Sequence, residues 1–448
     1  MRTRTLYTPT GRRVELVVDD EIGRGAEGIV LPVADSPHVC AKIYTDPVRA
    51  TGLGPRLDAL TRLDPVNWTG DCPDHLHVAW PRTTLRDDDG TLRGVVVPRI
   101  VGIPLLRLLD PRLRIDVLDE PTWRTTFAIA ARVGRLFDML HAAGIVIGDV
   151  SPSNVLVDRH GHVTLLDCDG VQFTDPGTGK VHTGDKFTPE YAAPELLRQA
   201  GAGVTREHDL FGLGVMLCQL IMEGDHPYEG VSTAQPPSVN VADNIKLQNN
   251  RVTHPERLVR TAGSMSGDML PPRVRGLVRA CFEDGFADPA RRPSGGVWAL
   301  ELDETGYELM GCRFNPRHAY HPSAPACVWC ARAAARQGDH FPPPAGWVPP
   351  ARTAADDGER LTVPVSQPWN PPYNGSVPGP RARPAAYPAA PDPSGAPQPA
   401  TPSPAAQPVP QPQPQPVKVV QKASPGMILA IVLLSLAVII LLAAVSSR

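Results

Sequence analysis

The sequence has little of several features that define whole classes of protein. Its formal net charge is only −3 over 448 residues, so it offers no strongly basic surface and we expect no nucleic-acid partner. Its eight cysteines are mostly scattered and do not form a disulfide framework. The first ten residues, MRTRTLYTPT, contain no apolar run, so we predict no signal peptide.

Composition divides the chain into a part that can fold and a part that cannot. Residues 1 to about 305 mix apolar and polar residues, whereas residues 335–425 are rich in Pro, Ala and Gln, with 24 prolines between positions 341 and 420. Such a segment buries too little apolar surface to offset the entropy that ordering would cost. We therefore predict a disordered, partly extended linker over 335–425.

An uncharged apolar run, MILAIVLLSLAVIILLAAV, follows the linker at residues 427–445. As a transmembrane helix it would span ~28 Å, close to the ~30 Å thickness of the hydrocarbon core of a bilayer. Lys418 and Lys422 precede the run and Arg448 follows it, which favours a cytoplasmic N-terminal region. The absence of a signal peptide favours the same orientation. We expect a single-pass protein of the cell membrane whose folded part lies at the cytoplasmic side of the membrane.

The part that can fold begins with a glycine pattern, Gly23-Arg-Gly25-Ala-Glu-Gly28. In a dinucleotide-binding fold this pattern lies between a strand and a helix, but here the apolar residues IVL continue directly after it. The pattern therefore predicts two strands joined by a glycine turn that covers phosphates. Lys42 follows within the apolar stretch VCAKIY, where it is either a surface lysine at a strand edge or a phosphate ligand.

The stretch GIVIGDVSPSNVLV, residues 144–157, places a polar hexapeptide between two apolar runs. Asp149 and Asn154 are five residues apart, a spacing that suits an ordinary turn as well as a loop that binds a charged ligand. Apolar residues at helical spacing precede the stretch and end at Gly144. A further acidic motif, HVTLLDCDG, follows and contains Asp167.

These motifs together resemble the protein kinase superfamily, and in particular a divergent branch of bacterial Hanks-type serine/threonine kinases that often carry C-terminal zinc-binding segments. They occur in kinase order and are followed by TPEYAAPELL, EHDLFGLGVMLCQL and DPARRPS. The agreement covers about residues 14–305 and excludes the interpretation of the polar hexapeptide as an ordinary turn. The resemblance implies an α+β fold with two lobes, a small β-rich lobe followed by a helical lobe.

The resemblance also implies the roles of the catalytic residues. Lys42 would hold the α- and β-phosphates of ATP, and Asn154 and Asp167 would bind Mg²⁺. Asp149 would accept the proton of the attacking hydroxyl group. Thr188 in FTPEY occupies the position of a threonine in the substrate loop of serine/threonine kinases, which favours protein substrates with Ser or Thr.

The stretch GVVVPRIVGIPL resembles the hinge that contacts adenine, where Pro98 offers a carbonyl group and Ile100 an amide. The residues implied for ATP binding are Gly23, Gly25, Gly28, Val30, Ala41, Lys42, Pro98 and Ile100, with Val30 and Ala41 on either side of the adenine. Three further residues have structural roles in the family. Glu195 of the APE motif would pair with Arg292, and Asp209 would lie on a buried helix.

Several positions depart from the family pattern. Ile147 and Gly148 replace the His-Arg that precedes the catalytic aspartate, and Ser151 replaces the catalytic-loop lysine. Asp169 stands where the glycine of the DFG motif is expected. The glutamate of helix C is not evident, and Asp58 is the best candidate for its role. These departures keep an alternative function open, that of a nucleotide-binding pseudokinase scaffold at the membrane that transfers no phosphate.

A short segment at residues 312–330 combines three cysteines with two histidines. Cys312, Cys327 and Cys330, together with one histidine, provide the four ligands that tetrahedral Zn²⁺ prefers. His318 is favoured by its resemblance to the family pattern, and His321 remains the alternative. The segment is either a zinc-binding module or a flexible tail with reduced cysteines.

Overall fold

An antiparallel sheet of seven strands forms the N-terminal lobe, in the order β2-β1-β6-β7-β5-β4-β3. The computed structural model describes residues 2–63 and 75–350, except residues 185, 200 and 202. The strands of the sheet are β1 (Thr3–Tyr7), β2 (Arg13–Val17), β3 (Gly23–Arg24), β4 (Gly28–Pro32), β5 (Val39–Tyr44), β6 (Thr83–Arg86) and β7 (Leu92–Pro98). β1 pairs with β2 along its whole length, so the sheet includes residues upstream of residue 14, where the resemblance to kinases begins.

The two faces of this sheet carry different side chains. The face that points away from the second lobe carries a small apolar cluster. The members of this cluster are Leu6, Leu16, Leu31, Ala41, Ile43, Leu85 and Val96. The other face contributes Tyr44 and Val95 to the main core of the protein. Helix α1 (Pro47–Leu60) packs on this second face through Leu57 and Leu60. The sheet therefore has an inner face, which lines the cleft between the lobes, and an outer face.

The second lobe is mainly helical. Its helices are α2 (Leu105–Leu108), α3 (Pro111–Val117), α4 (Trp123–Ala142), α5 (Pro194–Arg198), α6 (Arg206–Ile221), α7 (Val241–Lys246), α8 (Pro272–Arg279), α9 (Gly285–Ala287) and α10 (Gly295–Glu308). Helix α4 begins with a capping box between Thr122 and Thr125, and Gly144 with φ +73° follows its end. The buried sides of α4, α6 and α10 form the centre of the lobe. This arrangement is the α+β, two-lobed class that the sequence predicts.

Short strands arrange the loops at the cleft. The strands β8 (Ile103–Pro104), β9 (Val155–Val157) and β10 (Val163–Leu165) form a small sheet in the order β10-β9-β8. The polar hexapeptide therefore lies between α4 and β9. Two further hairpins follow, β11 (Phe173–Thr174) with β12 (Val181–His182) and β13 (Val231–Ser232) with β14 (Leu258–Val259).

The segment after α10 folds onto the helical lobe. It consists of β15 (Met310–Cys312), β16 (Asn315–Tyr320) and α11 (Val328–Ala334). Trp329 of α11 is 1% exposed and packs edge-on against Trp123 of α4, with ring centroids 5.2 Å apart. The boundary expected at residue 305 falls within α10, and the main core continues through this segment.

The predicted membrane helix at 427–445 and the linker from residue 351 onward lie outside the described residues. Within residues 2–63 and 75–350, no helix is both long enough and apolar enough to cross a membrane.

Candidate active site

The glycine pattern forms a tight turn between β3 and β4, here called the glycine turn (residues 23–28). The Gly25 amide donates to the Gly28 carbonyl at 2.9 Å. A Cβ atom at Gly28 would lie 2.4 Å from the Ile43 carbonyl oxygen, so only glycine lets β4 approach β5 this closely. Glu27, at the tip of the turn, is directed toward the second lobe, as its contacts below show.

Lys42 on β5 lies at the centre of a charge cluster. Its ammonium group donates to Asp169 at 2.8 Å and also to Asp167. Burial disfavours the charged ammonium, but the carboxylates of Asp169 and Asp167 outweigh burial and raise the pKa of Lys42. Burial acts against the Asp169 carboxylate too, yet Lys42 and the hydroxyl of Tyr44 hold the pKa of Asp169 below its usual range. Lys42 and Asp169 therefore remain ionised at neutral pH, whereas burial and the neighbouring Asp169 carboxylate raise the pKa of Asp167.

Asp58 does not take the helix-C role that the sequence suggested. Its carboxylate accepts hydrogen bonds from Thr84 and Arg86, both at 2.9 Å. Asp58 thus faces β6 instead of the ammonium group of Lys42, and this expectation is wrong. Asp169, two residues after Asp167, provides the second carboxylate for Lys42.

Helix α1 is connected to the active site through Arg56 instead. The guanidinium of Arg56 donates to the backbone carbonyls of Asp169 at 2.8 Å and Thr183 at 2.9 Å, and also to that of Val171. One side chain thereby holds both ends of the segment that follows Asp167. Sequence reasoning missed Arg56, because a single arginine on a helix carries no signal of a contact more than a hundred residues away.

The assignment of Ala41 to the adenine site is also wrong. Side chains alternate between the two faces of a strand. Ala41 is paired with Leu31, and both belong to the apolar cluster on the outer face. Cys40 shares the inner face with Lys42, and its thiol contacts the Pro98 carbonyl at 3.8 Å. Cys40 therefore takes the position expected of Ala41, and burial raises the pKa of this thiol to about 11.

The remaining residues predicted to contact adenine lie near Cys40, on the inner face of the sheet and in the hinge. Val30 is paired with Lys42 across β4 and β5 and so faces the cleft. Pro98 ends β7. The Arg99 amide donates to the His38 carbonyl at 2.9 Å, which commits that amide to the sheet and leaves Ile100 as the next amide in the hinge. The contacts of Pro98 and Ile100 with adenine stay predictions.

The polar hexapeptide is a compact loop that positions Asp149 and Asn154 together. The side-chain amide of Asn154 donates to the Asp149 carbonyl at 2.9 Å. The Asp149 carboxylate accepts the hydroxyl of Thr188 at 2.7 Å. Gly148, which precedes Asp149, has φ +76°, a conformation that strains other residues. Glycine at this departure from the family pattern is therefore required by the backbone of the loop.

Asp167 lies beside this loop in a left-handed backbone conformation, with φ +60°. The amide of the preceding residue, Leu166, donates to the Asn154 carbonyl at 2.7 Å. Carboxylate oxygens of Glu27, Asp167 and Asp169 all lie within 4.8 Å of one another. Carboxylates, and the amide oxygen that Asn154 retains, are ligands that suit Mg²⁺. Asp167 and Asn154 were predicted for this role, whereas the sequence did not indicate that Glu27 and Asp169 lie beside Asp167.

Comparison with known proteins agrees with this geometry. A family model described as the protein kinase domain matches residues 111–301. Protein kinase YegI of Escherichia coli O157:H7 is 29% identical over 341 residues, which cover 73% of this chain and 50% of the relative. These similarities support the resemblance to Hanks-type protein kinases inferred from the sequence, and the family match itself covers residues 111–301.

Two further relatives give the extent of the similarity. Protein kinase YegI of Escherichia coli strain K12 is 28% identical over 340 residues, again 73% of this chain and 50% of the relative. Human cGMP-dependent protein kinase 2 is 33% identical over 118 residues, or 25% of this chain and 14% of the relative. The chain spans about half the length of the YegI proteins that it matches.

Two acidic side chains support the loops of the kinase domain. Arg292 forms a two-pronged ion pair with Glu195, with distances of 2.7 and 2.9 Å, as the family pattern implies. Asp209 on α6 is fully buried and accepts the amides of Ile147 at 2.7 Å and Gly148 at 2.8 Å. Asp209 thus fixes the backbone directly before Asp149.

The structure brings the predicted zinc ligands together into a Cys/His cluster, formed by Cys312, His318, Cys327 and Cys330. The sulfur atoms of Cys312 and Cys330 are 3.6 Å apart. His318 Nδ1 lies 3.6 Å from the sulfur of Cys327 and 3.4 Å from that of Cys330. His321 instead contacts Glu308 at 3.0 Å through Nε2, so the geometry selects His318.

Asp339 supports His318 and was missed by sequence reasoning. His318 Nε2 and an Asp339 carboxylate oxygen are 2.9 Å apart, while Nδ1 of the same ring faces the sulfur atoms. A carboxylate on the second ring nitrogen is the usual support of a histidine that binds a metal. Asp339 lies nine residues beyond Cys330, in a stretch that the sequence assigned to the linker.

Proposed function

We propose that this protein is a membrane-tethered protein kinase that transfers the γ-phosphoryl group of ATP to Ser and Thr hydroxyls of proteins. The observation that carries the proposal is the arrangement of the loop at residues 149–154. Asn154 holds the Asp149 backbone at 2.9 Å, and the Asp149 carboxylate already accepts a threonine hydroxyl at 2.7 Å. A substrate hydroxyl would take that hydrogen-bonding position.

Several described residues have roles in the proposed phosphoryl transfer. The substrate oxygen forms a bond to the γ-phosphorus while the bond from that phosphorus to the β-phosphate oxygen breaks, and ADP leaves. Asp149 orients the hydroxyl and accepts its proton. Lys42 and the glycine turn bind the phosphates. Mg²⁺, when bound, neutralises charge on the phosphate oxygens, and Asn154 and Asp167 would hold it.

The preference for Ser and Thr rests on the substrate loop. Thr188 precedes the short helical turn Pro189–Tyr191 and donates to Asp149. The contact keeps this loop close to the catalytic carboxylate, which leaves limited depth for the substrate side chain. A short Ser or Thr side chain suits that depth better than a tyrosine.

The test is Asp149→Asn in the full-length chain, purified in detergent and supplied with γ-labelled ATP. Autophosphorylation should fall by about 10²-fold or more, the scale of a positioned general base, while ATP affinity stays close to wild type. Asp116→Asn, an exposed aspartate on α3, is the matched control. Equal residual labelling in wild type and Asp149→Asn would identify a nucleotide-binding pseudokinase scaffold instead.

We propose further that the Cys/His cluster binds one Zn²⁺. With Zn–S near 2.3 Å and Zn–N near 2.0–2.1 Å, a tetrahedral site separates two sulfur ligands by ~3.8 Å and a sulfur from a nitrogen by ~3.5–3.6 Å. The observed separations of 3.6 Å for sulfur–sulfur and 3.4–3.6 Å for sulfur–nitrogen fit these values. The four ligand atoms lie within 4.8 Å of one another, as one shared metal ion requires.

Elemental analysis of the full-length chain, purified under reducing conditions without chelator, tests the zinc site. Wild type should contain about one zinc per chain, as four protein ligands imply. Cys330→Ser should lose the metal, whereas His321→Ala, which changes the neighbouring histidine, should retain it. Metal-free wild-type protein would refute the site.

The membrane tether is proposed from the sequence alone, from the apolar run 427–445 and its flanking charges. Truncation before Met427 should move the protein from the membrane fraction to the soluble fraction of lysed cells. Retention of the truncated protein in the membrane fraction after a high-salt wash would contradict the tether.

A further inference from the structure

The active site lacks one positive charge that its family normally has, because Ser151 replaces the catalytic-loop lysine. The Ser151 side chain accepts the Ser153 amide at 3.3 Å, so it is used within its own loop. A serine can neither neutralise nor attract the phosphoryl group that is transferred. A catalytically competent site therefore needs a cation from another part of the chain.

Lys186 lies at the place where that cation is needed. Its carbonyl oxygen is 3.4 Å from the position of a Cβ atom at Gly148, and its ammonium nitrogen is 3.9 Å from the equivalent position at Gly170. The residue therefore lies between the residue before Asp149 and the loop that carries Asp167. Two residues further on, Thr188 contacts the Asp149 carboxylate.

The ammonium group of Lys186 contacts the tip of the glycine turn. It pairs with the Glu27 carboxylate at 2.5 Å, and the two side chains are 24% and 13% exposed. A Glu27 carboxylate oxygen lies within 4.8 Å of carboxylate oxygens of Asp167 and Asp169. The ammonium of Lys186 is thus adjacent to the carboxylates that face the phosphate site.

We propose that Lys186 supplies the positive charge that Ser151 no longer provides, and that it binds the γ-phosphoryl group of ATP during transfer. Glu27 holds the ammonium in place while no nucleotide is bound. The phosphates would occupy the space under the glycine turn, where they repel the Glu27 carboxylate and replace it as the partner of Lys186. The bonds that form and break are those of the proposed kinase reaction, on which this inference rests.

The experiment compares binding and transfer in the full-length chain in detergent. Lys186→Met should weaken binding of MgATP but leave binding of MgADP unchanged, because only ATP carries the γ-phosphate. Single-turnover autophosphorylation should fall by about 10²-fold, the scale for loss of one preorganised donor. Lys180→Met, an exposed lysine of the same segment, is the matched control and should change neither quantity.

Two further variants separate this role from a structural ion pair. Glu27→Gln should tighten MgATP binding, because it removes the carboxylate that competes with the phosphate. Ser151→Lys combined with Lys186→Met should recover part of the lost transfer, because it restores a lysine at the position usual in the family. The proposal would be overturned if Lys186→Met weakened the binding of MgATP and of MgADP equally. It would also be overturned if Glu27→Gln weakened MgATP binding as much as Lys186→Met does.

The outcome remains distinguishable from failure of the kinase proposal itself. If the wild type shows no transfer that depends on Asp149, the kinase function is wrong. The contribution of Lys186 to the preference for MgATP over MgADP can still be measured by binding alone. An unchanged ratio of MgATP to MgADP affinity in Lys186→Met would then refute the role of Lys186 independently.

Discussion

His226 is buried beneath the substrate loop and should make the folded protein sensitive to mild acid. It is 6% exposed. Its Nε2 donates to the Glu190 carbonyl at 3.0 Å, while its Nδ1 accepts the Tyr228 amide at 3.1 Å. This pattern requires the neutral ring. Burial, with a smaller contribution from the positive charge of Arg251, lowers the pKa of His226 to about 4.

The size of the effect follows from the two pKa values. The ordinary value is 6.5 and the folded value is about 4, so the unfolded chain binds more protons in this window and stability falls as the pH falls. The stability is fully present above pH 6.5, and the loss reaches about 3 kcal/mol once the pH is below both values. At pH 5 about 2 kcal/mol of it should already be lost.

Urea unfolding of the full-length chain, followed by tryptophan fluorescence at pH 7.5 and pH 5, measures this loss. His226→Gln retains a donor for the Glu190 carbonyl but does not titrate. Its free energy of unfolding should therefore lie below that of wild type at pH 7.5, and the difference should shrink by about 2 kcal/mol at pH 5. His38→Gln, an exposed control, should show no such change. A difference for His226→Gln that is the same at both pH values would refute the reasoning.

Three further substitutions test the placement of the active-site residues. Asp167→Asn should weaken Mg²⁺-dependent ATP binding by at least about tenfold, or about 1.4 kcal/mol, with little change in Mg²⁺-independent binding, as titration calorimetry would show. Cys40→Phe should weaken ATP binding to a similar extent, because the ring would enter the cleft; Ala41→Ser on the outer face should not. Arg56→Met should slow single-turnover transfer by about tenfold and spare ATP affinity, because it loosens the segment after Asp167.

Much of the active site could be predicted because its spacing is local. Asp149 and Asn154 are joined by a short loop, and their contact follows directly from their separation of five residues. The glycine turn is likewise closed by residues 25 and 28. Such motifs need no knowledge of the rest of the fold. The two-lobed class followed from their order along the chain.

The predictions for Ala41 and Asp58 were wrong because the direction of each side chain decides its role. Ala41 and Cys40 are neighbours, and a shift of one residue in a strand exchanges the inner face for the outer face. Asp58 lies on the expected helix, but Thr84 and Arg86 draw its carboxylate to β6. A strict count of two residues back from Lys42 would have identified Cys40. No count within the sequence identifies the partners of Asp58.

Other contacts could not be predicted because their partners are far apart in the chain. Glu27 and Lys186 are separated by 159 residues, and neither belongs to a motif that names the other. His318 and Asp339 are closer, but Asp339 lies where composition begins to resemble the linker. Only the folded chain brings such groups together, and these pairs carry the zinc proposal and the proposal for Lys186.

The Cys/His segment packs against the kinase domain and shares its main core, which the separate domains expected from the sequence did not indicate. Arg114 and Glu223 make an ion pair whose side chains are 1% and 0% exposed, and the Phe341 ring covers Arg114 at 4.8 Å. Removing residue 341 would expose this pair to water and withdraw an aromatic contact from it. A fragment that ends at residue 335 would therefore damage the helical lobe as well as the segment.

Helix α4 connects the Cys/His segment to the catalytic loop. Its first residue, Trp123, contacts Trp329. Near its other end, His141 Nε2 lies 2.9 Å from the carboxylate of Asp209. The metal proposed for the Cys/His cluster would thus stabilise the same helix that supports the catalytic loop.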